Sequence, residues 1–511
     1  MSTARKIISN TFSQVIGKII VALLSVAIVK ILASYFGKSR YGEYATIFEF
    51  LAFFGAIADM GIFTIAVREM SKQKDKEQEI FSEILSLRTF FTTLAMLAAV
   101  IVVFLIPKYE GTLIPYGVVL VAVSTWLVIL SGTLSSILQV KMKMHFNAFS
   151  LVIGKIFATL AIIFIANFLH PFFSAKSFYQ IVASSILGAL ITFLLTLFFA
   201  SSFAEIKFSF QKERSLALLK EAVPFGLALI LNTIYFRLDI ILFSLLLPHS
   251  QNGICLEKFC GDSEAGSYAV AVRMLEVLII IPLFFMNSVL PILTRYIQKK
   301  SKKIKKLLDH SFNFLFASGL SAAIGGMVLA REIVVLISSK DFLSNFSEKI
   351  FSSDLALQIL MPAMFFTFLT TFFGFILIAF GKQKQLLWIN LSAVLFNLIT
   401  NLLVIKKWGL LGAGITSVLS EMLILILSFF ALKKTINFTP NFQKLAKITT
   451  AALLMGIFTH FVFLIFKTIF IESIALFMVI ILAVIFFIAL LFALGIFNKE
   501  IINLLKRKNA S

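Results

Sequence analysis

Apolar runs of about twenty residues recur along the whole chain and constrain its fold more than any other feature. A helix rises about 1.5 Å per residue, so such a run crosses the ~30 Å hydrocarbon core of a bilayer. We place fourteen runs, which leave no room for a sizeable soluble domain. They lie near residues 11–36, 44–67, 85–107, 113–138, 149–169, 179–200, 222–247, 265–293, 310–338, 354–380, 386–405, 409–432, 448–466 and 473–497. The sequence therefore predicts an all-α polytopic membrane protein with about fourteen transmembrane helices.

The strongly basic composition fits a membrane topology better than a nucleic-acid partner. The chain is 60% hydrophobic and carries a net charge of +21, whereas soluble domains are roughly 45–50% apolar. Most of the 46 Lys and Arg fall in segments that lie inside if the N-terminus is cytoplasmic. The positive-inside rule then predicts a cell-membrane protein with both termini in the cytoplasm.

An internal repeat divides the predicted spans into two halves. The pentapeptide YGEYA (41–45) opens the second span, and AGSYA (265–269) opens the eighth. Six spans separate the copies, so the halves share one orientation, as in transporters with parallel repeats. We expect a six-helix lobe in residues 1–217, a second in 218–447, and an added helix pair with a cytoplasmic tail in 448–511.

Several ionisable residues lie inside the apolar runs. The seventh run contains both Arg237 and Asp239 between Pro224 and Pro248. A charge at the centre of a spanning helix costs about 2.5–3.5 kcal/mol even on insertion scales, so such residues face a bundle interior or a water-filled cavity. The others are Lys18, Lys30, Glu49, Asp59, Lys155, Arg273, Glu276 and Glu421. This pattern indicates a path for a polar passenger.

Four of the cations are candidates for binding an anionic substrate: Lys18, Lys30, Arg237 and Arg273. They lie in corresponding spans of the two halves, so a cavity between the lobes would collect them. Arg matches phosphate oxygens with a planar fork, and Lys offers a point charge. The alternative is a structural ion pair, because Arg273 and Glu276 are three residues apart on one helix face.

Four carboxylates are candidates for coupling transport to a proton, to sodium or to the membrane potential. Asp59 and Asp239 are the deepest, followed by Glu49 and Glu276. Burial raises the pKa of a carboxyl group, and a neighbouring Arg lowers it. Substrate that occupies the Arg would therefore change the protonation of the carboxyl group. Asp239 is two residues from Arg237 and faces another side of the helix, so it requires a different partner.

The two cysteines, Cys255 and Cys260, lie in a loop that the topology places outside. An oxidising compartment allows them to form a disulfide or leaves them as two free thiols. Without nearby His they make a poor zinc site, so we expect no metal. No other cofactor is predicted.

The chain resembles a known transporter family in five ordered segments. They are GKIIVALLSVAIVKILASYFGKSRYGEYA (17–45), AREIVVLI (330–337), ALQIL (356–360), IAFGKQKQ (378–385) and NLSAVLFNLITNLLVIKKWGLLGAGITSVLSE (390–421). They are similar to the polysaccharide-exporter branch of the multidrug, oligosaccharidyl-lipid and polysaccharide (MOP) superfamily. This resemblance implies a flippase that moves a polyprenyl-pyrophosphate-linked oligosaccharide to the outer leaflet by alternating access. It implies membrane lipids as neighbours, and a polysaccharide polymerase and glycosyltransferases as pathway partners.

Two other transporter classes share the expected fold. A MATE-type cation-coupled drug exporter would favour an acidic, aromatic pocket, whereas the first span here is rich in cations. A peptidoglycan-precursor flippase would have an Arg-Asp pair near the end of its first span, where this chain reads KILASYFGKSRYGEY (30–44).

An enzyme, such as a membrane polymerase or ligase, is the alternative from another class. The five His are scattered, and neither an HExxH motif nor a Gly-rich GxxxxGK[ST] phosphate loop is present in the sequence. The sequence therefore favours a transporter over an enzyme.

Overall fold

The computed structural model describes residues 3–170, 172–251, 255, 257–301, 303–348, 350–433, 436 and 438–496. Within these ranges the chain forms fifteen α-helices and no β-strand. The helices are α1 Thr3–Asp59, α2 Ile62–Lys72, α3 Glu77–Phe104, α4 Ile114–Val140, α5 Met144–Phe164, α6 Ala175–Ser201, α7 Lys212–Leu246, α8 Gly261–Leu278, α9 Ile280–Gln298, α10 Lys303–Val328, α11 Ala330–Ile337, α12 Ser353–Ala379, α13 Gln383–Lys433, α14 Phe442–Ile469 and α15 Glu472–Ala493. The predicted all-α class is confirmed.

Eleven helical segments in the described part of the chain are long and apolar enough to cross a membrane. Two of them, Ile16–Lys72 and Gln383–Lys433, each cover two of the predicted spans. The multi-pass architecture is therefore confirmed, whereas the count of fourteen stays a prediction.

Glycines with positive φ bend the two longest helices. Gly37 in α1 has φ 68° and Gly409 in α13 has φ 54°. An L side chain is strained in this left-handed region, and glycine is not. In α13 the amide of Asn397 lies 3.5 Å from the hydroxyl of Ser420, so the helix halves on either side of Gly409 lie next to each other.

The chain divides into two compact units, residues 1–269 and 270–511. The first unit contains α1 to α7 and the first part of α8. One of its apolar clusters joins α2, α3 and α4, with Met70 and Phe81 fully buried. Small residues allow close approach elsewhere: a Cβ on Gly154 of α5 would overlap the carbonyl oxygen of Gly188 of α6.

The second unit contains the remainder of α8 and α9 to α15. One buried cluster joins α9, α10 and α12 around Phe312, Phe368 and Phe372. Another joins α10 to α14 and α15 around Ile448 and Met455. The helix pair predicted in 448–511 therefore packs on α10 as far as the described residues extend. The predicted lobes 1–217 and 218–447 stay a prediction.

Candidate functional site

The ion pair between Arg237 and Glu49 lies inside the first unit. Glu49 is on α1 and Arg237 is on α7, and the Nη1 group of Arg237 donates to Oε2 of Glu49. The Glu49 side chain is only 4% exposed, whereas that of Arg237 is 31% exposed. The Arg237 side chain therefore retains accessible surface, and the five N–H donors of its guanidinium exceed the one that this contact uses. This predicted substrate cation is thus joined to one of the predicted coupling carboxylates.

Asp239 turns to a different neighbour, as its spacing from Arg237 predicts. Its carboxylate is buried, and the hydroxyl of Tyr268 on α8 donates to Oδ2 over 2.6 Å. Tyr268 belongs to the second copy of the repeat, and its ring is also 5.4 Å from that of Phe243. Asp239 therefore links α7 to the start of α8.

Asp59 is paired with Arg88, which is not among the site residues predicted from the sequence. Arg88 lies on α3, and its Nη2 group donates to Oδ1 of Asp59. The guanidinium carbon is 5.7 Å from the ring centroid of Phe63, within cation–π range. Arg88 is buried, and its Nε and Nη1 atoms have no hydrogen-bond partner among the described residues. An Arg within the predicted third span (85–107) is the sequence signal that identifies it.

The remaining predicted cations lie on α1 and α8. Lys18 is exposed and Lys30 is half-buried, both on α1. In the second unit Arg273 donates to Glu276 over 2.7 Å, three residues along α8. The structural alternative stated for that pair is therefore the arrangement observed.

The two copies of the repeat meet through their glycines inside the first unit. A Cβ on Gly42 of α1 would overlap the carbonyl oxygen of Asp262 and would lie 2.8 Å from the amide nitrogen of Gly266. A Cβ on Gly266 of α8 would overlap the carbonyl oxygen of Lys38. The repeat thus marks a helix crossing so close that only glycine fits on either side.

Polar side chains from two loops pack together near this crossing. Tyr109 precedes α4 and is fully buried, and its hydroxyl lies 2.8 Å from that of Ser244 at the end of α7. Burial raises the pKa of Tyr109 to about 12. The ring of His249 lies 5.9 Å from that of Tyr109. Burial lowers the pKa of His249. The charge of Asp262 raises this pKa and the charge of Lys108 lowers it further.

The loop between α7 and α8 is tied at two points. A disulfide joins Cys255 to Cys260, the residue immediately before α8. The carboxylate of Asp262 in the first turn of α8 accepts hydrogen bonds from the amide, over 3.0 Å, and from the hydroxyl of Ser250. The disulfide is thus one of two attachments that hold this loop against the helix.

Two further features concern ligands. Within the described ranges, no group of three or more His, Cys, Asp or Glu is placed to hold a metal ion.

The second unit has a depression of about 340 Å³. Apolar residues line it: Phe312, Leu369, Phe373, Leu425, Ile426, Phe429, Phe430 and Pro440. Its lining contains none of the predicted charged site residues.

Solved structures identify the fold. The structure is similar to the lipid II flippase MurJ in an inward closed conformation, with a TM-score of 0.70 and 17% identity over 96% of this chain and 99% of that one. It is similar to an inward-facing MATE family transporter of the MOP superfamily, with a TM-score of 0.65 and 14% identity. This match covers 81% of this chain and 96% of that one. It is also similar to a mutant of the MATE transporter VcmN of Vibrio cholerae, with a TM-score of 0.53 and 13% identity. This match covers 84% of this chain and 97% of that one. The fold is that of multi-pass membrane transporters.

Sequence comparison then gives the family. The polysaccharide biosynthesis protein family matches residues 7–297, more than half of the chain, and the MatE family matches residues 253–403. The chain belongs to the polysaccharide biosynthesis protein family, within the MOP superfamily that the sequence resemblance indicated. An uncharacterized membrane protein of Methanocaldococcus jannaschii is 29% identical over 298 residues, which are 57% of this chain and 55% of that relative. The chain matches about half the length of that curated relative.

Proposed function

We propose that this protein is a flippase that moves a polyprenyl-pyrophosphate-linked oligosaccharide from the cytoplasmic to the outer leaflet by alternating access. The family match over residues 7–297 supports transport of a polysaccharide intermediate. The observation that carries the proposal is the Arg237–Glu49 pair, because it places a partly exposed Arg side chain on a predicted transmembrane helix. A guanidinium matches the oxygens of a pyrophosphate better than those of a neutral or cationic passenger.

In this proposal the substrate and Glu49 exchange at Arg237. The pyrophosphate engages the remaining N–H groups of Arg237 and displaces the Glu49 carboxylate. A buried carboxylate without its cation is costly and can take up a proton instead. Release of the headgroup on the other side lets Glu49 lose that proton and bind Arg237 again. This exchange would couple substrate transport to the movement of a proton. Sodium and the membrane potential are the other candidate driving forces.

The orientation rests on the loop between α7 and α8. Its disulfide requires an oxidising compartment. The positive-inside assignment places this loop outside and the N-terminus in the cytoplasm, so the two arguments agree. Both support a cell-membrane protein that accepts its substrate from the cytoplasmic leaflet.

The test is a flipping assay with purified protein in lipid vesicles. The probe is a polyprenyl-pyrophosphate-linked oligosaccharide that carries a fluorescent label on its glycan. A reagent that cannot cross the membrane modifies the glycan only on one side of the vesicle. We expect Arg237→Gln to slow flipping at least about tenfold, because a hydrogen bond to a charged group contributes about 1.5–3 kcal/mol. Arg237→Lys should retain part of the rate, since it keeps the charge.

Two controls separate transport from folding. The double variant Arg237→Gln with Glu49→Gln removes both charges, so it leaves no carboxylate buried alone. Arg68→Gln removes an exposed cation that is paired with Glu69 at the end of α2. The proposal is rejected if the double variant, inserted normally, flips the probe at the wild-type rate.

A peptidoglycan lipid precursor is the second candidate substrate. The likeness to the lipid II flippase covers 96% of this chain, although at 17% identity it shows the fold alone. The same vesicles loaded with lipid II distinguish the two substrates. Uptake of a cationic dye that is insensitive to Arg237→Gln would instead support a MATE-type exporter.

A further inference from the structure

The helix that carries Glu49 is interrupted further along the chain, next to Asp59. Helix α1 ends at Asp59 and α2 begins at Ile62, although both lie inside the predicted span 44–67. Between them, Met60 has a φ of 39° and Gly61 has a φ of 71°. Glycine adopts this left-handed conformation readily, whereas a residue with a side chain is strained in it. Strained backbone of this kind occurs mainly at ligand sites and switch regions, where the surrounding structure holds it in place.

Neighbouring helices of the first unit hold this break from two sides. A Cβ on Gly226 of α7 would overlap the carbonyl oxygen of Met60, so the backbone of α7 lies directly against the break. From α3, the Nη2 group of Arg88 donates to Asp59 before the break. The same guanidinium lies 5.7 Å from the ring centroid of Phe63 after the break. Arg88 therefore contacts the chain on both sides of the interruption.

The ion pair at the break is open to solvent on its acidic side. The Asp59 side chain is 33% exposed, whereas that of Arg88 is 5% exposed. Asp59 is the last residue of α1, and Gly61 close behind it tolerates many backbone conformations. The carboxylate can therefore move away from Arg88 without unwinding a helix. An anion that arrives from the solvent side can then take its place.

The guanidinium of Arg88 has donors available for such an anion. Asp59 accepts from Nη2, while Nε and Nη1 have no hydrogen-bond partner in the part of the chain that the structure describes. Next to Nη1 there is unfilled space, because a Cβ on Gly132 of α4 would meet only this atom, at 4.0 Å. Arg binds phosphate oxygens through two parallel N–H groups, which a single contact with Asp59 does not use.

We propose that Arg88 is an entry site for the pyrophosphate headgroup, which displaces Asp59 there before it reaches Arg237. This inference rests on the proposed function. Asp59 follows Glu49 by ten residues of α1, which is about 15 Å along the helix axis toward the predicted cytoplasmic end of the span. The substrate is loaded from that side in the proposed function. Two guanidinium–carboxylate pairs along α1 then receive the headgroup in succession.

Binding of inorganic pyrophosphate to the purified protein tests the site without transport. The measurement is the shift of the unfolding midpoint on adding pyrophosphate, with sodium chloride at equal ionic strength as the reference. In Asp59→Asn the anion supplies the counter-charge that Arg88 has lost, so the shift should exceed that of the wild type. In the double variant Asp59→Asn with Arg88→Met this excess should disappear. Equal shifts in the single and the double variant would overturn the proposal.

Flipping kinetics in vesicles test the same site during transport. The double variant leaves neither charge buried alone, and its flipping rate is measured against the concentration of the labelled oligosaccharide probe. We expect the half-saturating concentration to rise roughly tenfold, because hydrogen bonds to a charged group are lost. The maximal rate should change much less, since Arg237 is intact. Asp59→Asn with Arg88→Lys keeps a cation and should recover part of the affinity, which a purely structural pair would not explain.

A matched control removes another Arg–carboxylate pair of α1. The Nη1 group of Arg40 donates to Glu43 over 2.8 Å, near the opposite end of the same predicted span. Arg40→Met with Glu43→Gln should keep the half-saturating concentration of the wild type. A similar rise in this control would show that the effect is not specific to Arg88, and the proposal would be rejected.

The outcomes also separate this proposal from the proposed function. Only the entry site is rejected if the wild type flips the probe, Arg237→Gln slows it, and the Arg88 double variant keeps the half-saturating concentration of the wild type. A wild type that flips no probe contradicts the proposed function, and with it the substrate assigned to this site. The pyrophosphate shift then still decides whether Arg88 binds an anion.

Discussion

Replacement of Asp59 with Asn should destabilise the protein more than replacement of its partner Arg88 with Met. The two side chains are 33% and 5% exposed, so water reaches the carboxylate much better than the guanidinium. In Asp59→Asn the buried guanidinium loses its counter-charge, and its Nε and Nη1 atoms already have no partner among the described residues. In Arg88→Met the remaining carboxylate can be hydrated.

The expected magnitudes follow from this asymmetry. Breaking a buried pair costs about 3–5 kcal/mol when the remaining charge is uncompensated. We expect about 3 kcal/mol for Asp59→Asn, at the lower limit because Asp59 is partly exposed. For Arg88→Met we expect about 1 kcal/mol, since Met keeps apolar contacts and removes the desolvated charge. The double variant should lie within about 1 kcal/mol of the wild type.

Equilibrium unfolding in mixed micelles of a mild detergent and dodecyl sulfate measures these free energies. The four proteins form a double-mutant cycle, and the interaction free energy should be about 3 kcal/mol or more. Flipping by the double variant then separates structure from coupling. If Asp59 only compensates Arg88, the double variant keeps the pH dependence of transport.

Two results would refute this reasoning. The first is a larger loss of stability in Arg88→Met than in Asp59→Asn. The second is a double variant as unstable as Asp59→Asn alone, which would mean that Asp59 is required for more than compensating the guanidinium. If the double variant is stable but its transport is no longer coupled, the result would support the predicted coupling role of Asp59.

Two further predictions concern the crossing of the repeat copies and the loops near it. Gly42→Ala should cost at least about 1–3 kcal/mol because its Cβ would overlap the carbonyl oxygen of Asp262. Gly55→Ala, whose Cβ would meet nothing closer than 3.6 Å, should be neutral or stabilising in the same unfolding assay. The lowered pKa of His249 means that the unfolded chain binds its proton first, so stability should fall as the pH drops below about 6.5. His249→Phe keeps a ring against Tyr109, and it should show a smaller loss in acid.

The transmembrane character was predictable because it depends on local composition. Apolar transfer free energy adds up along a run of residues, whatever the rest of the chain does. The repeat was also visible in the sequence, where Gly42 and Gly266 occupy the same place in both copies. What the spacing alone did not show is that these two glycines contact each other.

Partners of the membrane charges were predictable only where they are local. The pair of Arg273 and Glu276 follows from helical spacing, because residues three apart lie on one face. The pair of Arg237 and Glu49 joins residues 188 positions apart, and no periodicity relates them. Arg88 was missed as a site residue because its importance comes from burial beside Asp59.

The sequence by itself determined that this protein is helical, crosses a membrane many times and carries costly charges inside its spans. These properties follow from side-chain transfer free energies and helical geometry, which act along the chain. Only the tertiary structure decided that Arg237 faces Glu49 and that Asp239 faces Tyr268. The physical reason is that electrostatic interactions act through space, so they depend on how distant segments pack.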